Sequence, residues 1–145
     1  MKRSLLAILL LVQPILSQGY EEKLYKQHGN YKIFYSAFNS SFIDSNIAVA
    51  NNIVRGKGKG LVNIAVMEEL TIGTPAKVTG RVFNILQQSQ SLEFVAVKEQ
   101  QALYYLAPFT FENEDYLTFK ITVKPDDGKP SYSYDFKFQK KMYHD

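Results

Sequence analysis

Leu117-Thr-Phe-Lys-Ile-Thr-Val123, Pro125-Asp-Asp-Gly-Lys-Pro130 and Tyr132-Ser-Tyr-Asp-Phe-Lys-Phe138 follow one another near the end of the chain, and this stretch decides the fold. Leu117, Phe119, Ile121 and Val123 alternate with Thr118, Lys120 and Thr122; Tyr132, Tyr134, Phe136 and Phe138 alternate with Ser133, Asp135 and Lys137. A strand turns successive side chains to opposite faces, so each run puts an apolar face on one side and a polar face on the other. Between them Gly128 supplies the positive φ that a tight connection demands, and the segment reads as a β-hairpin.

The same period of two recurs upstream. Tyr31, Ile33, Tyr35 and Ala37 share a face opposite Lys32, Phe34 and Ser36. Leu61–Met67 and Lys77–Ile85 read as two more strands, the second with Val78, Gly80 and Val82 on a common face. Leu92–Val97 and Ala102–Ala107, separated by Lys98-Glu-Gln-Gln101, read as a further hairpin. Asp44-Ser-Asn-Ile-Ala-Val-Ala-Asn-Asn-Ile-Val54 breaks the pattern: Ile47, Ala50 and Val54 fall at helical spacing, with Asp44 or Ser45 as N-cap and Gly56 as the closing residue. About seven strands and one short helix, without a βαβ rhythm, predict an antiparallel β-sandwich rather than a closed barrel.

The chain has 145 residues, 17 Lys and Arg against 14 Asp and Glu, ten Tyr and ten Phe, and neither Cys nor Trp. Its basic balance lies partly in an address. Lys2 and Arg3 precede an apolar run from Leu5 to Leu16 that is too short for the roughly 20 residues needed to span a bilayer, so residues 1–19 read as a cleaved signal peptide. Ser17 and Gly19 place small residues at −3 and −1, and Tyr20 is the expected mature start. Removing Lys2 and Arg3 leaves 15 basic against 14 acidic residues in a single domain, residues 20–145. That near-neutral domain is a poor footprint for nucleic acid. Without Cys, thiol catalysis and thiolate metal sites are excluded.

Local chemistry is sparse. His28 and His144, the two histidines, lie near the mature termini and do not form a triad or zinc set by spacing. Glu112, Glu114 and Asp115 are the carboxylates a glycoside hydrolase would need as a pair, although a solvated loop before a strand has the same composition. Arg55-Gly-Lys-Gly-Lys-Gly60 offers Arg55, Lys57 and Lys59 to an anion or partner, while lacking the phosphate-loop spacing. Tyr104 and Tyr105 must face opposite sides of their strand, so one of them is a binding candidate. Asn63, Asn84 and Gly80 sit inside strand patterns and read as structural positions: buried amides that need partners, and a close backbone approach or bulge. Asn39-Ser40-Ser41 matches a glycosylation sequon, which has meaning only in a eukaryotic secretory pathway. No cofactor is expected.

Tyr35-Ser-Ala-Phe-Asn-Ser-Ser-Phe42, Ile53-Val-Arg55, Gly60-Leu-Val-Asn-Ile-Ala-Val66, Val78-Thr-Gly80, Tyr104-Tyr-Leu-Ala107 and Phe119-Lys-Ile-Thr-Val123, in this order, resemble the bacterial family known as domain of unknown function 4426. The resemblance implies an immunoglobulin-like sandwich in a small periplasmic protein of Gram-negative bacteria, and brings no catalytic residues. The expected function is non-enzymatic binding of an envelope protein or peptide. A carboxylate-dependent hydrolase acting on envelope carbohydrate and a small-anion-binding protein are the alternatives.

Overall fold

Phe119 has no exposed surface, and the strand that carries it, β9 (Asp115–Pro125), lies inside the second of two sheets. A computed structural model describes residues 24–69 and 72–145; the expected signal peptide and the Tyr20 start lie outside them. The other strands are β1 (Tyr25–His28), β2 (Tyr31–Asn39), β3 (Lys59–Glu69), β4 (Ile72–Gly73), β5 (Ala76–Phe83), β6 (Ser89–Leu92), β7 (Val95–Glu99), β8 (Ala102–Thr110) and β10 (Tyr134–Met142). One sheet runs β1-β2-β3-β8-β7, with β4 also on β3; the other runs β10-β9-β5-β6, and every pairing is antiparallel.

The inward faces are those the alternation predicts, except that Tyr132 lies in the loop before β10 and is 83% exposed. Ile33, Val62, Ile64, Val66 and Phe109 meet Val82, Leu117, Phe119, Ile121 and Val123 in one buried cluster. Aromatic rings bind its centre: Phe119 stacks on Phe138 at 4.8 Å between centroids and meets Phe109 edge-on at 5.2 Å, geometries that add to simple area burial. Three short strands exceed the expected seven. β1 and β4 are too short to show a period, and β6 (Ser-Gln-Ser-Leu) is polar because it borders solvent. The expected strand Leu92–Val97 divides between sheets: Leu92 ends β6 in one, Val95 begins β7 in the other, and only the β7–β8 part forms the predicted hairpin.

The helix α1 (Ser45–Ala50) begins as predicted, Asp44 accepting a bond of 2.7 Å from the Asn46 amide. It ends before Gly56. Asn52 takes φ +56°, its N–H bonds Val49 O and the Ile53 N–H bonds Ala48 O, which is a Schellman closure with Asn in the left-handed position and Ile53 buried beyond it. Val54 consequently points to solvent, and Ala48 with Ile53 replaces the expected Ala50 and Val54 on the packed side. These two join Leu61, Val97 and Leu106 on the outer face of the first sheet, so β3 is buried on both faces, by the sandwich core and by the α1 segment.

Gly128 has φ +88° in the loop joining β9 and β10, as the Asp-Gly signal demands. That loop also reaches the first sheet. Tyr31 Oη donates to Asp127 Oδ2 at 2.7 Å, and Lys129 Nζ pairs with Glu68 at 2.9 Å. The Tyr31 bond holds the Asp127 carboxyl below its ordinary value of 3.8 and raises the Tyr31 hydroxyl. A carboxyl depressed by folding contributes stability that is present above the ordinary value and is lost as pH falls towards the folded one. Asp127→Asn should therefore lower Tm at pH 7, with the gap from wild type closing below about pH 3.8; thermal melts across pH check this, and a gap that ignores pH would show that the ionised carboxylate plays no part.

Candidate functional site

Outward residues of three neighbouring strands create the most ligand-like concavity. On β3 the inward Val62 and Ile64 flank an outward Asn63; on β8 the inward Tyr105 leaves Tyr104 and Leu106 outward; on β7 Val97 stands opposite Tyr104. The 3-10 turn Ser40–Phe42 and α1 overhang this face, and the resulting cleft holds about 260 Å³ between Phe38, Phe42, Ile47, Val97, Tyr104 and Leu106. Asn63 is on its lining, and the two charged groups that border it, Asp44 and Glu99, are both acidic and exposed. Asn63 Oδ1 is buried and accepts no hydrogen bond from any described residue. An unpaired buried acceptor costs about 1–3 kcal/mol, so this floor is the one part of the cleft with an unmet chemical demand.

Tyr104 and Tyr105 divide as their adjacency requires. Tyr104 lines the cleft, whereas Tyr105 packs on the sandwich core and its hydroxyl accepts the Ala76 N–H at 2.9 Å. Tyr105 therefore ties β8 to the start of β5.

The Arg55–Gly60 segment is stapled rather than open. Fully buried Ser40 accepts the Gly56 N–H at 3.0 Å and donates to Gly56 O at 3.3 Å, while the Lys59 N–H bonds Gly56 O. Two amides that an anion would use are thus taken. Arg55 reaches Ser41 O at 3.4 Å, Lys57 is exposed, and Lys59 borders a separate hollow with Val54, Gln90 and Pro108. Asn39, the sequon residue, donates to Tyr143 O at 3.1 Å, so its amide nitrogen holds the C-terminal segment.

Asn84 is the organiser of a turn: its Oδ1 accepts from the Leu86 and Gln88 amides and its Nδ2 donates to Gln88 Oε1. Gly80 is the close approach that its position predicts, a Cβ there standing 2.7 Å from Lys120 O. Glu112 and Asp115 border a hollow of about 240 Å³ beside Asn84 and Thr110, with Asp115 Oδ2 already accepting the Glu112 N–H at 2.8 Å; Glu114 lies outside that lining, at φ +68°. His28 stacks on Tyr134 and His144 packs on Phe111, so each ring has its own aromatic neighbour. Among the described residues no group of His, Asp and Glu is placed to hold a metal ion, and no helix is long and apolar enough to cross a membrane.

Tyr104 and Asn63 each stand out in the sequence, but nothing local shows that they share a cleft with Phe38, Phe42, Asp44 and Glu99. The order of strands brings them together, and no local pattern encodes that order. The signal within reach was the run Leu61-Val-Asn-Ile-Ala-Val66: apolar on both faces, it demands a cover for each, and Asn63 is the polar interruption under the second cover.

Comparison with known proteins agrees with this architecture. A crystal structure of a DUF4426 family protein from Pseudomonas aeruginosa PAO1 is similar at 34% identity, with a TM-score of 0.74 over 83% of this chain and 94% of that one. Comparison with curated proteins gives no match. The family model described as "Domain of unknown function (DUF4426)" matches residues 25–145, the two sheets and the outer cleft included, and the chain belongs to that family.

Proposed function

We propose that this protein is a non-enzymatic binding module of the periplasm, exported through a signal peptide, residues 1–19, that is then cleaved, and that it recognises an envelope protein or peptide through the cleft on the outer face of its first sheet. The carrying observation is the cleft's lip. Phe42 is 74% exposed on the 3-10 turn, directly beside apolar walls. A large ring held in water at the mouth of an apolar groove is what binding surfaces present, since aromatic anchors dominate interface energetics.

A photo-crosslinking residue in place of Phe42, in cells expressing the full chain, should yield an adduct of higher mass that the same residue in place of Lys137, exposed on β10 in the other sheet, does not. The purified adduct should carry a chain beginning at Tyr20. Monomer alone at both positions, or equal adducts from both, would refute the reading.

A further inference from the structure

The cleft floor specifies more than apolarity. We infer that it takes the indole ring of a tryptophan side chain presented by the partner polypeptide, with the indole N–H donating to Asn63 Oδ1. This rests on the binding reading above and narrows it to one side chain.

Four observations converge. Asn63 Oδ1 is buried without a donor, so a ligand that brings one removes an existing penalty. The walls are apolar and partly aromatic, Phe38 and Tyr104 among them, and suit a flat hydrophobic ring. Both charges at the rim, Asp44 and Glu99, are negative, which disfavours carboxylate or phosphate ligands. The volume of about 260 Å³ falls just below the roughly 300–1,000 Å³ of small-molecule sites, the scale of one large side chain rather than a whole ligand.

Donor count separates indole from its rivals. An indole N–H donates and accepts nothing, so pairing it with Oδ1 leaves no polar atom of the ring unmet. A phenol would bring an acceptor oxygen into the same apolar space. Lysine would set an ammonium at the floor against one neutral acceptor, because Asp44 and Glu99 are exposed at the rim, and a buried charge without a buried counter-charge is far more costly. Tryptophan is also enriched among residues that dominate interfaces. This chain contains none, so a second copy does not supply the ring.

The absence of Trp makes the test direct: excited beyond the absorption of the ten Tyr, added Nα-acetyltryptophanamide is the one group that emits. Titrated with the protein purified after expression of the full chain, the probe should show a saturable blue shift. Its 3-benzothienyl analogue, in which a ring sulfur takes the place of the N–H with no added group, should compete for the site about tenfold more weakly, the size expected for leaving a buried acceptor unpaired. In Asn63→Leu the two probes should bind alike. Equal affinities in the unmodified protein, or a preference that survives Asn63→Leu, would overturn the assignment, as would no saturable shift with protein at millimolar concentration. The wild-type comparison stands even if Asn63→Leu fails to fold. Adducts from Phe42 alongside a null result here would leave the partner surface intact and remove tryptophan as its anchor.

Discussion

Phe119→Ala should lower the free energy of unfolding by about 3–5 kcal/mol, a large part of the roughly 5–15 kcal/mol that holds a domain of this size together. The ring is fully buried, stacked on Phe138 and edge-on to Phe109, and its neighbours belong to both sheets, so no single element can move in to fill the void. Lost transfer energy and a residual cavity therefore add. In urea the midpoint should fall with little change in slope, the mark of altered stability rather than altered compactness. Leu86→Ala is the matched control. It also deletes aliphatic carbon, but from a side chain 74% exposed on the β5–β6 turn, and should stay within about 0.5 kcal/mol of wild type. A comparable loss from both variants would mean that the core does not centre on Phe119.

Gly80→Val should destabilise by about 1–3 kcal/mol, although general preferences point the other way. Valine favours strands by up to about 1 kcal/mol and restricts the unfolded chain, so an open strand position would gain. Here the new Cβ would stand 2.7 Å from Lys120 O and 2.9 Å from Ile121 Cδ1. The first of these is backbone, fixed by the ladder that pairs Arg81 with Lys120 and Gly80 with Ile121, and cannot rotate aside. Relief requires β5 and β9 to part at their middle. Overpacking thus exceeds propensity, and a chemical denaturation curve with an unchanged or raised midpoint would contradict the close approach.

Periodicity made the two largest features readable. Strands such as β9 and β2, solvated or edge-exposed on one side, display strict alternation, and their inward residues followed directly from it. What stayed hidden was set by partners distant in sequence. β6 owes its polar Ser-Gln-Ser to an edge position; Leu92 and Val95 belong to different sheets although two residues separate them; and α1 stops at Asn52 because Ile53 finds a buried place on the outer face. The site was legible in the same proportion. Tyr104 followed from adjacency to Tyr105, whereas its meeting with Phe42 and Asn63 depends on β3, β7, β8 and the 3-10 turn assembling first. Arg55, Lys57 and Lys59 attracted notice by composition, and their surroundings turn on Ser40, which no charge pattern points to.

The placement of β9 between β5 and β10 also sets a timetable. By Thr110 the chain contains every strand of the first sheet but only the β5–β6 pair of the second, and an isolated hairpin is marginal in water. Val62, Ile64, Val66 and Phe109 then have an apolar face with no lasting cover. Closure awaits Asp115–Met142, when Phe119 arrives to register with Val82 on a strand from much earlier in the chain. Pairing of that kind pays its loop entropy before any contact rewards it, which puts the protein among slow, milliseconds-to-seconds folders. A nascent chain built this way leaves that apolar face uncovered until its last quarter is made.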